Sequence, residues 1–192
     1  MAKSRKQQYA EETRRVLVMA ARRLFNKDGY AQTSLDTIAK AEGLTKGAVY
    51  HHFKNKGEIF EAVIRQVMAE AVQTVATAAQ SEDAERRMIQ AVDAFIDICR
   101  TDEYQRIVLR DGPAVLGLAR WKALEQEYTA DYVGEMVQEL IRARGSEVSE
   151  VMLTRLFMAW IIEIALMVAE AEADDELYTQ AKAFMLHMFA VI

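Results

Sequence analysis

The sequence predicts an all-α protein: an amino-terminal three-helix unit followed by a larger helical body. Three observations carry this. Apolar residues recur at helical spacing along nearly the whole chain, and no strand-like alternation stands out. A single proline, Pro113, and eight glycines interrupt 192 residues that are 52% hydrophobic, enough for a sizeable core in one or two domains. Positive charge is gathered at one end: residues 1–56 hold twelve Lys and Arg against five Asp and Glu, and the remainder holds twelve against twenty-four. A net charge of −5 argues against indiscriminate nucleic-acid binding, while the basic amino-terminal third supplies the phosphate-neutralising footprint that DNA affinity needs.

The first residues, MAKSRKQQYAEE, are basic and polar and lack the apolar centre of a secretory signal. They read as a loose arm that either touches phosphate or the minor groove or makes no contact. Leu17, Ala20, Ala21, Leu24 and Phe25 then form the apolar stripe of a first helix, closed by Asp28-Gly29-Tyr30. A second helix is signalled by Thr33-Ser34-Leu35-Asp36, with the Thr33 hydroxyl expected to accept from an orphan N–H and Asp36 to reach back. Leu35, Ile38 and Ala39 are its buried face, and Gly43 ends it because glycine takes a left-handed backbone without steric cost. Leu44 drops into the turn. Thr45 caps a third helix that Val49 and Phe53 hold down, leaving Lys46, Gly47, Tyr50 and His51 outward. A helix of about two turns with such a face fits the major groove, where base edges carry a distinguishable donor and acceptor pattern. Asn55 caps a fourth helix with Glu58 three residues on, and Ile59, Phe60, Val63 and Val67 are its inner side.

Beyond this the spacing predicts helices over 56–80, 83–101, 103–120 with a break near Gly112-Pro113, 121–144, 149–172 and 175–191, with Asp174 or Asp175 capping the last. The boundary between a head (1–58) and a body (59–192) falls inside the long fourth helix, so motion in one can pass mechanically to the other. The longest apolar run, Leu156 to Ala169, is interrupted only by Glu163. It falls short of the roughly 20 residues that span a bilayer, so a cytoplasmic protein without a membrane partner is expected. The helix over 149–172 is apolar nearly all round and needs partners on two sides, its own domain and a second subunit, unless one monomer encloses it wholly. Cys99 stands alone, which suits a small buried hydrophobe better than a redox sensor.

From about Thr13 to Phe60, the segments AARRLFNKDGY, TSLDTIAKAEGLTKGAVYHHF and KNKGEIF follow in order and almost ungapped. This quarter of the chain resembles the DNA-binding domain of the TetR family of bacterial transcriptional repressors. Position for position, the resemblance places Lys46, Tyr50 and His51 on the recognition helix. The candidate DNA contacts are Thr33, Ser34, Thr45, Lys46, Gly47, Tyr50, His51, His52, Lys54 and Lys56. Lys46 suits guanine edges or phosphate, Tyr50 and His52 suit phosphate, Gly47 admits close backbone approach, and Lys54 and Lys56 would form a second phosphate clamp. His51 and His52 point about 100° apart on a helix and make a poor metal pair, so no metal or other cofactor is expected.

The resemblance also implies a homodimer built as a four-helix bundle from the last two helices of each chain, with Trp160, Ile161, Ile164, Met167, Val168, Met185, Met188 and Phe189 as the candidate seam. It implies a small-molecule site in the body. Phe95, Tyr104, Trp121, Tyr128, Phe157, Trp160 and Glu163 are the candidate effector contacts, although aromatic residues at helical spacing are more often plain core. Glu163 is read either as salt-bridged or at the subunit seam, or as touching ligand. The expected function is a dimeric repressor that binds a palindromic operator in double-stranded DNA and is released by a small, mostly apolar effector. An effector-independent architectural regulator is the alternative. An enzyme is disfavoured, since the chain lacks a Glu-x-x-His pair, a P-loop, a nucleophile elbow and any plausible Cys/His arrangement.

Overall fold

The computed structural model describes residues 4–170, the last three by backbone alone, together with 176, 179, 180, 183, 184 and 187. Its elements are α1 (Arg5–Gln32), α2 (Leu35–Ala41), α3 (Lys46–His52), α4 (Lys56–Ala78), α5 (Ala84–Cys99), a π-helix (Tyr104–Asp111), α6 (Gly112–Leu116), α7 (Leu118–Arg144) and α8 (Glu150–Glu170). The described residues contain no strand, and none of their helices is long and apolar enough to cross a membrane.

Helix α1 starts earlier than the sequence reading placed it. Ser4 accepts from Gln7 N, and the Gln7 side chain accepts from Ser4 N, a reciprocal cap that makes the supposed loose arm helical from Arg5. Gly29, at φ 79°, breaks the helix, and a last turn runs on to Gln32. That turn decides the next cap. Thr33 closes α1 with its hydroxyl donated to Gly29 O at 2.9 Å, so the cap of α2 is Ser34, paired reciprocally with Thr37. The capping box expected from Thr33 and Asp36 is therefore displaced by one residue. Gly43 (φ 63°) ends α2 as expected, with Gly43 N donating to Lys40 O and Leu44 N to Ala39 O, the double bond pattern of a glycine-terminated helix.

Packing ties head and body into one core. Phe25, Tyr30 and Phe60 meet as three rings with centroids 4.8–5.7 Å apart, between the end of α1 and the start of α4. The same cluster of buried residues continues through Val63 and Ile64 to Tyr104, Ile107, Trp121 and Leu124. A second cluster, built from α5, the second half of α7 and the inner face of α8, fills the far end.

The segment 103–120 is where the observed helices differ most from the expected ones. Its first half is a π-helix, and the break comes at Gly117 (φ 78°) rather than at Gly112-Pro113. In an i→i+5 ladder the donor for Val108 O would be residue 113, which is proline and has no N–H. The Trp121 indole supplies it instead, with Nε1 donating to Val108 O at 2.8 Å. Gly112 makes room: a Cβ there would stand 2.8 Å from Trp121 Cδ1. Trp121 is thus a structural plug, 1% exposed.

Helix α8 is apolar all round because it has two apolar faces of different fate. Leu153, Phe157, Ile161 and Ile164 pack inward against α5 and α7. Met152, Leu156 and Ala159 lie exposed on the other face, with Glu163 on the same stripe. Ile161 and Ile164, expected at the seam, belong to the monomer's own core. Glu163 is exposed on the outer stripe and does not line the cavity. The helix expected over 175–191 and the seam residues Met185, Met188 and Phe189, with the Val168 side chain, lie outside the described residues.

Candidate functional site

The reading head presents α3 on a platform formed by α1, α2 and the start of α4. Thr45 accepts from Ala48 N at 3.2 Å, while Val49 and Phe53, both almost fully buried, anchor the helix from beneath. The outer side then carries Lys46, Gly47, Tyr50 and His51, all exposed. Lys46 donates to Asp36 Oδ2 at 3.0 Å, and its ammonium sits 5.7 Å from the Tyr50 ring centroid. The hydrogen bond to Asp36 raises the Lys46 pKa above the ordinary lysine value, so the side chain stays charged. His52 is half-buried, and that burial, with His51 and Arg14 adding to it, lowers its pKa below the ordinary histidine value and keeps it neutral at pH 7. Ser34, Thr45 and Lys54 are exposed at the rim.

Two of the expected DNA contacts have other employment. Thr33 is 3% exposed and its hydroxyl is committed to Gly29 O, which removes it from the set. The Lys56 ammonium donates to Tyr30 O at 2.8 Å and Ala31 O at 3.4 Å and lies 4.1 Å from the centroid of the Tyr30 ring. It straps the end of α1 to the start of α4 and keeps one N–H for any further acceptor. Asn55 caps α4 as expected, but Glu58 reaches back to Lys54 N at 2.7 Å, one residue beyond the usual box.

The π-helix grips the broken end of α1. In an unbroken helix Tyr30 N would bond to Asn26 O; it donates instead to Asp111 Oδ2 at 3.0 Å. The carbonyls of Asn26 and Lys27 accept from Arg106 Nη1 at 2.8 and 2.7 Å. One turn earlier, Arg22 holds Glu103 through two bonds of 2.7 Å and Glu70 through a third. Three polar groups freed at this corner, Tyr30 N and the carbonyls of Asn26 and Lys27, are thereby matched by the π-helix of the body, while Thr33 and Lys56 take the carbonyls of Gly29, Tyr30 and Ala31.

That element also reaches the cavity. A cavity of about 60 Å³ lies between α4, α5, the start of the π-helix, α7 and α8, walled by Phe95, Tyr104, Tyr132, Phe157 and three methionines. Of the expected effector contacts it gathers Phe95, Tyr104 and Phe157. It does not gather Trp121, the plug described above; Tyr128, which packs on Arg65; or Trp160, which faces Phe184 at 6.1 Å. Nor does it gather Glu163.

The cavity's acid is Glu125, which the sequence reading missed. It is 5% exposed, its Oε2 has no hydrogen-bond partner among the described residues, and burial pushes its pKa up to about 7 against a smaller opposing pull from Lys122. Burial likewise raises the Tyr104 hydroxyl and the Cys99 thiol well above their ordinary values, with Glu125 contributing to both. The sign was there to be read: Trp121, Glu125, Thr129, Tyr132 and Met136 follow at spacings of three and four, and Glu125 is the charged member of that inner stripe.

A helix-turn-helix with a polar and aromatic outer face, basic in its surroundings and seated on a helical body with an apolar cavity, defines a DNA-binding transcriptional regulator. Comparison with known proteins agrees. Residues 17–63 match the family model of bacterial regulatory proteins of the tetR family, and residues 85–191 match the tetracyclin repressor-like C-terminal domain. A crystal structure of a TetR-family transcriptional regulator from Pectobacterium atrosepticum is 32% identical, with a TM-score of 0.83 over 97% of this chain and 95% of that one. The transposon Tn10 TetC protein of Escherichia coli is 27% identical over 85% of this chain and 84% of its own. The transcriptional regulator AcrR of Shigella flexneri is 48% identical over 33% of this chain and 29% of its own. The chain belongs to the TetR family.

Proposed function

We propose that the protein is a dimeric repressor that binds a palindromic operator through α3 and is released when a small, mostly apolar effector fills the cavity between α4, α5, α7 and α8. One observation carries the reading. The π-helix begins with a residue of the cavity wall, Tyr104, and continues with Arg106 and Asp111, which hold the end of α1 under the reading head. Whatever moves Tyr104 moves the support of the head. Release requires an effector that prefers the conformation with misplaced heads, and a coupling of about 1–3 kcal/mol changes DNA affinity roughly 5- to 150-fold.

Selection of bound DNA from a random pool tests the reading directly. It should return two-fold symmetric sites, because a two-fold protein presents its heads two-fold. Tyr50→Ala should weaken binding to the selected site uniformly, whereas Lys46→Ala should relax preference at one position per half-site by about 1–3 kcal/mol. Unchanged binding in both folded variants would remove α3 from the interface. Compounds that raise the melting temperature of the protein should lower its operator affinity, and operator should lower theirs by the same factor. Equal affinity with and without operator would sink release by effector.

For the dimer, the exposed stripe of α8 is the proposed seam, with Trp160 and Met167 at its edge. Leu156, 50% exposed, is the place to test it. Leu156→Asp should leave the monomer folded and shift sedimentation from dimer to monomer at micromolar protein. A substitution at Ile164 would report on folding instead, since that side chain is core. A wild-type protein that sediments as a monomer would refute the assignment.

A further inference from the structure

The effector reading leaves open what chemistry the cavity selects, and Glu125 addresses it. Its Oε2 is buried with no partner among the described residues. A polar atom in that state is costly to keep, and the Thr129 hydroxyl one turn along α7 does not relieve it, since it already donates its proton to the Glu125 carbonyl at 2.7 Å. Among the described residues no Lys or Arg lines the cavity. An anionic ligand would therefore meet an acid and no cation. The rings of Phe95, Tyr132 and Phe157 border the same space, and ring faces attract cations that have left water.

We propose that the effector is a small protonated amine on an apolar body, with Glu125 as its counter-ion and hydrogen-bond acceptor. This rests on the cavity being the effector site. An ammonium group donates to Oε2 and completes a charge pair inside a low-dielectric wall, where such a bond is roughly twice as strong as a neutral one. An alcohol offers one neutral donor and no charge. The cavity of about 60 Å³ is smaller than the roughly 150 Å³ that takes a benzene ring, and Met68, Met136 and Met158, flexible and polarizable, are the wall residues that give way to admit the apolar part.

The pairing makes binding depend on pH. The titratable groups that face Glu125 are Cys99 from α5 and Tyr104 from the π-helix, both kept protonated by burial, with Tyr132 and Lys122 on its own helix. Helices α4 and α8 turn only apolar side chains to the cavity. Glu125 is thus the group that changes charge near neutrality, at about 7. An amine binds the ionised carboxylate, so its affinity should fall roughly 10-fold from pH 8 to pH 6 as the carboxyl takes up a proton that binding must expel.

Calorimetric titration of the DNA-free full chain with phenethylamine, phenethyl alcohol and phenylpropanoate tests this. At pH 8 the amine should bind at least roughly 10-fold more tightly than the alcohol, a difference of about 1.4 kcal/mol, and the carboxylate should not bind. Glu125→Gln should collapse the amine-to-alcohol ratio toward one and abolish the pH dependence; Glu125→Asp, which keeps the charge, should restore part of both. Equal affinity for amine and alcohol, a preference that survives in Glu125→Gln, or no binding of any probe at millimolar concentration would each overturn the proposal. Amine binding through Glu125 with no change in operator affinity would instead sink effector release and leave the assignment of Glu125 intact.

Discussion

Phe60→Ala should cost about 3–5 kcal/mol of stability, within the range for removing a buried aromatic ring. Phe60 is fully buried, meets Phe25 edge-on at 5.0 Å and Tyr30 at 4.8 Å, and stands where α1, α4 and the reading head converge. A loss of that size is a large share of the 5–15 kcal/mol that holds a typical domain folded. It should appear as a fall in melting temperature on the order of 10 °C and a lower denaturation midpoint. Operator binding should fall with it at temperatures where the fold persists, because the rings seat the platform of α3. Phe60→Leu, which fills more of the space, should recover more than half of the loss. A cost below about 1 kcal/mol would mean that the three rings are not what fixes the head to the body.

A second large effect is expected from pH acting through Glu125. Its folded-state carboxyl, at about 7, lies above the ordinary glutamate value of 4.5. The neutral form is therefore the one the fold prefers: the stability linked to this group is fully present below the unfolded value and lost as pH rises through 7. On an order-of-magnitude basis the loss is about 3 kcal/mol. Other carboxylates move the opposite way. Glu61, for example, is lowered by its hydrogen bond to Arg120, so the wild-type curve alone mixes both signs. The informative quantity is the stability of Glu125→Gln minus that of the wild type, measured by denaturant titration at fixed ionic strength. It should rise between about pH 4.5 and pH 7 and level off above, with the variant the more stable. A difference that stays flat from pH 5 to pH 8 would show that the carboxyl is not held in the apolar state described.

The local signals of the head were readable because each acts over a few residues. Gly43, the Thr45 cap, and Val49 with Phe53 all stand as the sequence placed them. The misplaced cap at Thr33 shows the limit of that method. Two adjacent hydroxyls compete for one role, and the choice was made by an extra turn of α1 after Gly29, which claimed Thr33 first. Longer-range partners left no local trace. Lys56 reaches carbonyls 25 and 26 residues away, and Arg106 reaches carbonyls about 80 residues away. Nothing in either neighbourhood announces a target.

Glu163 and Glu125 illustrate a different error. The acid inside the apolar run drew attention as a candidate ligand contact, but a run says nothing about faces, and α8 carries one apolar face outward with Glu163 on it. The acid that is buried sits in a mixed, charged stretch, visible only when every third or fourth residue is followed along α7. The π-helix was beyond such reading, since the donor that satisfies Val108 O is the Trp121 indole, 13 residues further along the chain.

The corner at Gly29 bears on portability. Exchanging reading heads among relatives is a natural way to rewire which operator a given effector controls, and the shared fold suggests a cut within α4. Here the head does not end at that cut. The N–H of Tyr30 and the carbonyls of Asn26 and Lys27 find their partners on Asp111 and Arg106, from the middle of the body. A transplanted head whose own corner expects different partners would arrive with bare polar groups at the point that supports α3. The exchangeable unit is thus discontinuous in sequence: the first sixty or so residues travel intact only with the two side chains of the π-helix that complete them.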